Sequence, residues 1–132
     1  MTNRFLVDTH VWLWLQSDHK RVDDGVREQL SDPAAQVFLS AVSSWEIAIK
    51  HALGKLPLPE PPREYVPARM RRDHVDGLPV THVHALHVAT LPDHHGDPFD
   101  RLLVAQAQLE SLTLVTVDPR IRLYDVEVLS AN

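Results

Sequence analysis

Short unbroken apolar runs alternate along this chain with stretches whose apolar residues recur every three or four positions. Phe5-Leu6-Val7 is an unbroken run that stops at Asp8, the pattern of a buried strand over residues 4–7. Residues 10–16 then read as a helix crowded by Val11, Trp12, Leu13 and Leu15. Residues 22–30 read as a second helix, with Val22, Val26 and Leu30 four apart, ended by Asp32-Pro33. A second strand is predicted over 36–40. Ser43-x-x-Glu46 matches a capping box ahead of an apolar stretch, which predicts a helix starting at Ser43 and stopping at Gly54. Pro57, Pro59, Pro61 and Pro62 make a stiff link, followed by a helix from about Arg63 to Asp73. Leu78-Pro79-Val80 predicts a short strand at a sheet edge, because proline cannot donate to a ladder. Residues 81–91 read as a helix closed by Pro92. Asp97-Pro98 suits an N-cap and first helical position, opening a helix to about Glu110 that is apolar on most sides and therefore buried. Residues 112–117 form the clearest strand, ending at Asp118, and 126–129 the last.

Strands alternating with helices predict an α/β fold, a parallel sheet with helices on both faces. At 132 residues, with no internal repeat, the expectation is one domain over 1–132. A hydrophobic content of 44% with 23% charged residues excludes disorder. Absence of cysteine excludes a disulfide framework, a zinc ribbon and a thiol nucleophile, and fits the cytoplasm. The apolar run 11–15 is too short for a signal-peptide core or a membrane span. Thirteen Lys and Arg against 18 Asp and Glu give a net charge of −5, so any nucleic-acid contact must rest on a local patch or on metal ions.

The acids at the strand ends carry the candidate chemistry. In an open α/β sheet the working crevice lies outside the carboxyl ends of the strands. Asp8 and Asp118 end two strands. Glu46 and Asp100 lie in the first turns of predicted helices, which begin at that same edge. Each also has a local reading: Asp8 as a helix cap, Glu46 as the capping-box acid, Asp100 as a first-turn acid, Asp118 as a turn residue before Pro119. All four land on one edge, however, and four carboxylates there raise one another's pKa unless a cation joins them. Oxygen ligands select Mg²⁺ or Mn²⁺ over zinc, and a pair of such ions is a clamp for phosphodiester cleavage. Asp97 is a possible fifth acid or simply the N-cap. Thr116, two residues before Asp118 on the same side of the strand, is placed to orient an acid.

Four segments, Phe5-Leu6-Val7-Asp8-Thr9-His10-Val11-Trp12-Leu13, Ser43-Ser44-Trp45-Glu46-Ile47, His95-Gly96-Asp97-Pro98-Phe99-Asp100-Arg101-Leu102-Leu103 and Leu114-Val115-Thr116-Val117-Asp118, occur in this order. In them the chain resembles a PIN-domain ribonuclease, specifically the VapC-type toxin of a VapBC toxin–antitoxin pair. The third segment is the most specific. The resemblance implies Asp8, Glu46, Asp100 and Asp118 as a catalytic, metal-holding acidic cluster, with Thr116 as an auxiliary. It also implies a five-stranded parallel sheet, dependence on Mg²⁺ or Mn²⁺, an RNA substrate cleaved to leave a 5′-phosphate, a VapB-type antitoxin partner and a homodimer.

Other groupings compete for attention. His82, His84 and His87, with His94, His95 and Asp97 nearby, suggest zinc, but residues 82 and 84 point about 200° apart on a helix and do not share an ion. His95 is placed to shape the site entrance. Arg69, Arg71 and Arg72 form the densest basic cluster, suited to RNA phosphates, to an acidic antitoxin segment, or to a solvated helix face. Lys50, four after Glu46, reads as an ion-pair partner or a phosphate contact. Arg101, beside Asp100, is either a site residue or surface. Trp12, Trp14 and Trp45 are expected in the core, although one of the closely spaced first two is left over for a partner groove. A haloacid-dehalogenase-type phosphatase needs Asp-x-Asp, and His10 stands in the third position. A receiver domain needs a late-strand lysine that is missing. A catalytically inactive binding module of the same fold is the other alternative.

Overall fold

The computed structural model describes residues 3–132; residues 1 and 2, part of the expected domain, lie outside them. Five strands, β1 (Arg4–Val7), β2 (Gln36–Ser40), β3 (Asp76–Leu78), β4 (Thr113–Thr116) and β5 (Val128–Ser130), form one sheet in the order β3-β2-β1-β4-β5. Every pairing is parallel, with Leu6 opposite both Phe38 and Leu114. Six α-helices connect them: α1 (Thr9–Ser17), α2 (Asp24–Ser31), α3 (Ala41–Ala52), α4 (Pro62–Arg72), α5 (His82–His87) and α6 (Pro98–Glu110).

The period-two alternation of the strands sorts the core into two layers. Phe5, Val7, Val37, Leu39 and Val115 face one way, against Val11 and Trp12 of α1, Val26 of α2 and Tyr65 and Val66 of α4. Leu6 and Leu114 face the other, against Leu103, Val104 and Ala107 of α6. Burying a side chain such as Leu6 or Val7 contributes roughly 1.5–3 kcal/mol, so β1 anchors both layers. The strand order reverses between β1 and β4. Ligands of such sheets bind outside the carboxyl ends of the strands at this reversal. Asp8 follows β1 and Asp118 follows β4.

Several elements differ from the expectation in instructive ways. The capping box at Ser43 does not form. Strand β2 runs into α3 without a loop, so Ser40 is the N-cap, its hydroxyl accepting the Val42 N–H at 3.1 Å. Ser43 is turned inward and accepts the Thr9 hydroxyl at 2.8 Å. A capping box does form one connection later, where Thr81 and His84 exchange hydrogen bonds at the start of α5. Pro62 is the first residue of α4, and the chain tolerates Pro67 inside that helix. Strand β3 is an edge strand, as expected, but covers Asp76–Leu78, leaving Pro79 just past its end. The helix expected over 81–91 is α5 followed by a 3-10 turn, Val88–Thr90. Gly54 follows α3 with φ +73°, the left-handed conformation that suits a helix stop.

Candidate active site

Asp8 stands at the N-cap position of α1, yet its side chain caps nothing. One carboxylate oxygen instead accepts the Thr116 hydroxyl at 2.7 Å, and the Asp8 backbone N–H is tied to the Val115 carbonyl at 2.9 Å. The residue is 5% exposed. Burial pushes its pKa up, with Glu46 adding to the rise; the Thr116 hydroxyl and His10 oppose it without cancelling it. Thr116 works in two directions, because its oxygen also accepts the Asp118 N–H at 3.1 Å. One hydroxyl thus couples two acids distant in sequence.

Glu46 lies well inside α3 and is 4% exposed, paired with Lys50 Nζ at 2.7 Å. Both residues are where i,i+4 spacing puts them, and Lys50 offsets part of the Glu46 charge. Asp97 is the N-cap of α6: one of its oxygens accepts the N–H of Phe99 at 2.8 Å and of Asp100 at 3.2 Å. Asp100 follows in the first turn. Burial, then the charges of Asp8, Asp97, Glu46 and Asp118, push its pKa up to about 8. Four other acids therefore act on Asp100 in the structure. Asp118 differs. Burial pushes it upward, but the Arg120 N–H on Oδ1 at 2.9 Å and the His95 ring outweigh that and hold it below the ordinary carboxylate value.

His95 has more contact with the acids than its sequence position suggests. It is 6% exposed, with Nε2 2.7 Å from Asp118 Oδ2 and 3.0 Å from Asp100 Oδ2. Its sequence signal was the place two residues before an N-cap aspartate. His95, Asp100 and Asp118 offer ligand atoms within 4.8 Å of one another. The donor set suits a hard divalent cation: carboxylate oxygens dominate, and the negative charges that add to burial in raising Asp100 are only partly offset by Lys50 on Glu46.

The structure sends the remaining candidates elsewhere. Arg101 donates to the carbonyls of Val88 and Pro92 and to the Tyr124 hydroxyl, clamping the segment before α6 rather than facing the acids. Arg69, Arg71 and Arg72 sit at the C-terminal end of α4, which leads into the start of β3 and so lies toward the sheet edge opposite the acids. Arg69 lies over the Tyr65 ring and 3.7 Å from Glu60, while Arg72 bonds Asp73 and Gln16. His84 is buried and paired with Glu110, and His87 bonds Gln108, so neither joins a zinc site. Trp12 is in the core, as expected, and among the described residues its indole N–H has no hydrogen-bond partner. It lines a cavity of about 440 Å³ together with Leu15, Gln16, Arg27, Leu30 and Arg72. Trp14 is half-buried under Arg21. Trp45 departs from the expectation of a core residue: it is 61% exposed, edge-on to Phe99. Its place on α3 directs Glu46 and Ile47 inward and leaves Trp45 on the outer face.

Comparison with known proteins gives three kinds of likeness. The PIN domain family profile matches residues 5–127. Ribonuclease VapC16 of Mycobacterium tuberculosis is 51% identical over 61 residues, 46% of this chain and 43% of that protein, so the match spans less than half of either. Among solved structures, VapBC2 from Rickettsia felis, bound to a DNA fragment from its promoter, superposes with a TM-score of 0.75 at 13% identity, covering 98% of this chain and 99% of that one. DNA-bound VapBC from Salmonella typhimurium gives a TM-score of 0.73 at 16% identity, covering 98% of each. At such identities the likeness is one of fold. Taken with the family match over nearly its whole length, the five-stranded parallel sheet and the acids gathered where its strand order reverses place this chain in the PIN domain family.

Proposed function

We propose that this protein is a metal-dependent endoribonuclease, the VapC-type toxin of a toxin–antitoxin pair, acting in the cytoplasm. The observation that carries the reading is the gathering of carboxylates at the sheet's reversal point: Asp100 and Asp118 flank His95 Nε2 at 3.0 and 2.7 Å, and burial, then the charges of four other acids, push Asp100 up to about 8. Such crowding costs stability unless a divalent cation offsets it. Kinship over 61 residues with a ribonuclease adds the substrate class, RNA.

Asp8, Glu46, Asp100 and Asp118 are the groups proposed to hold Mg²⁺ or Mn²⁺. When bound, the cation lowers the pKa of water for attack on the phosphorus and stabilises charge on the leaving oxygen. The chain's own contribution is placement. Thr116 fixes Asp8 and the backbone before Asp118, the Arg120 N–H fixes one oxygen of Asp118, and Asp97 fixes the turn that carries Asp100. Lys50 limits the negative charge that an RNA phosphate meets. The 5′-phosphate product remains what the family resemblance implies.

The proposed partner is a VapB-type antitoxin, and a homodimer is the proposed assembly; the structural relatives named above are VapBC pairs. The cavity beside Trp12 presents the exposed Arg72 side chain to an acidic segment. With Arg69, Arg71 and Arg72 toward the far edge of the sheet, their proposed contact is the antitoxin rather than the scissile phosphate. Among the described residues no helix is long and apolar enough to cross a membrane. A phosphatase reading is disfavoured because exposed His10 occupies the place of the second aspartate. The test is incubation of the purified chain with RNA and Mg²⁺ or Mn²⁺, followed by sequencing of the cleaved ends. Cleavage that Asp8→Asn and Asp100→Asn each reduce by more than about a hundredfold is expected, since loss of outer-shell support alone costs metal sites 10–100-fold. Unchanged cleavage by Asp100→Asn overturns the reading, and failure of the folded, metal-saturated chain to cut RNA favours the inactive binding module.

A further inference from the structure

His95 is as close to two of the acids as a metal ligand would be, and its other nitrogen decides what it can do there. Nδ1 lies 3.2 Å from the backbone N–H of Asp97 and accepts it. That N–H has little freedom to turn away. Asp97 is held as the N-cap of α6 by the N–H groups of Phe99 and Asp100. A lone pair is thus required on Nδ1, and the proton of the neutral ring sits on Nε2. Nε2 points at Asp118 Oδ2 and Asp100 Oδ2. A ring nitrogen that binds a cation needs its lone pair free. Freeing Nε2 would move the proton to Nδ1, where two hydrogens would collide between Nδ1 and the Asp97 nitrogen.

We propose that His95 is a positioning residue: its Nε2–H, fixed by the Asp97 backbone, holds the Asp100 and Asp118 carboxylates at the spacing a divalent cation needs, without itself entering the coordination sphere. The inference rests on the metal-dependent reading above. It runs as one connected path, from the α6 N-terminus through the Asp97 N–H and the imidazole to both carboxylates. A donor there does in the metal-free protein what the cation does in the loaded one, which is to keep two acids from turning away from each other. Partners that orient ligands in this way are worth roughly 10–100-fold in metal affinity.

Two measurements test it. The first is a long-range proton–nitrogen correlation spectrum of the wild-type protein, free and saturated with diamagnetic Mg²⁺. A protonated, pyrrole-type Nε2 and a pyridine-type Nδ1 in both states are expected; a pyridine-type Nε2 in the Mg²⁺ state overturns the proposal and makes His95 a ligand. This measurement needs no variant, so it decides even where a substitution prevents folding. The second is the Mn²⁺ dissociation constant by calorimetry. His95→Leu is expected to weaken binding by about 10–100-fold, and His95→Gln, whose amide N–H reaches toward the same place, to stay within about threefold of wild type. Equal loss in both variants, or no loss in His95→Leu, overturns the role of His95 alone. Absence of Mn²⁺ and Mg²⁺ binding by the wild-type protein overturns the metal reading itself and this proposal with it.

Discussion

The Thr116 hydroxyl donates to Asp8 at 2.7 Å across the junction of β4 and β1, joining the ends of the two strands at which the sheet order reverses. The contact is buried, and the same oxygen accepts the Asp118 N–H. A side chain that both donates to an acid and accepts from the backbone of another couples their positions.

Thr116→Val keeps the shape and removes both bonds. A hydrogen bond to a charged group contributes about 1.5–3 kcal/mol, and an N–H left unsatisfied costs about 1–3 kcal/mol. The expected result is a loss of stability in that range, with the Asp8 pKa pushed higher still because burial is then less opposed. RNA cleavage should fall by at least about tenfold, 1.4 kcal/mol in barrier terms. Thr116→Ser keeps the hydroxyl and should recover most of both. Chemical denaturation and cleavage rates under saturating Mn²⁺ check this; a Val variant as active as wild type removes Thr116 from the account.

The proposed antitoxin groove can be probed at Arg72, whose exposed side chain lines the cavity beside Trp12. A hydrogen bond to a charged group contributes about 1.5–3 kcal/mol, so Arg72→Ala should weaken the complex with an acidic antitoxin segment by at least about tenfold. It should steepen neither the pH nor the metal dependence of cleavage, since Arg72 lies toward the far sheet edge. Trp12 is 1% exposed, so Trp12→Phe should act through the fold, lowering stability as a large-to-small core change does. An affinity for the co-encoded antitoxin that Arg72→Ala leaves unchanged would place the partner elsewhere.

Much of this was legible in the sequence where local chemistry and topology agree. Apolar runs that stop at Asp8 and Asp118 marked strands and acids together, since parallel strands buried on both faces are continuously apolar and the chain becomes polar on leaving the sheet. Asp97-Pro98 marked the start of α6 because both residues have a physical reason to be there. What failed was decided at longer range. Ser43 has the right spacing to Glu46 for a capping box, but β2 and α3 meet without a loop, so the cap moves to Ser40 and Ser43 turns toward Thr9. Arg101 neighbours Asp100 in sequence, yet about 100° of helix rotation turns it to the carbonyls of Val88 and Pro92. Trp45 looked like core by composition, and only the packing of α3 shows it facing out. His95 reaches the acids through the turn at residues 95–97, a feature without periodicity to betray it.

The folded pKa of Asp100, about 8, stands far above the ordinary carboxylate value of 3.8. A carboxyl with a raised folded pKa binds its proton more tightly in the native state than in the unfolded chain. Its contribution to stability is complete below the unfolded pKa and is lost progressively until pH passes the folded value. Asp8, also raised, acts in the same direction; Asp118, lowered, acts oppositely and only at acid pH. Between about pH 5 and 8 the metal-free protein should therefore lose melting temperature as pH rises. In Asp100→Asn this component is absent. At pH 8 the metal-free variant should melt higher than wild type, by about 4 °C for each kcal/mol of relieved repulsion. A cation reverses the balance in the wild type, because it must displace the Asp100 proton to bind. Its apparent affinity should rise as pH climbs toward 8, with up to one proton released per binding event from this carboxyl. Asp100→Asn should show weak binding with little pH dependence. Thermal melts with EDTA and with saturating Mg²⁺, at constant ionic strength across this pH range, read both effects together. If wild type and Asp100→Asn keep parallel melting curves in EDTA, Asp100 does not carry its proton into the neutral range; if they also gain equally from Mg²⁺, it is not a ligand.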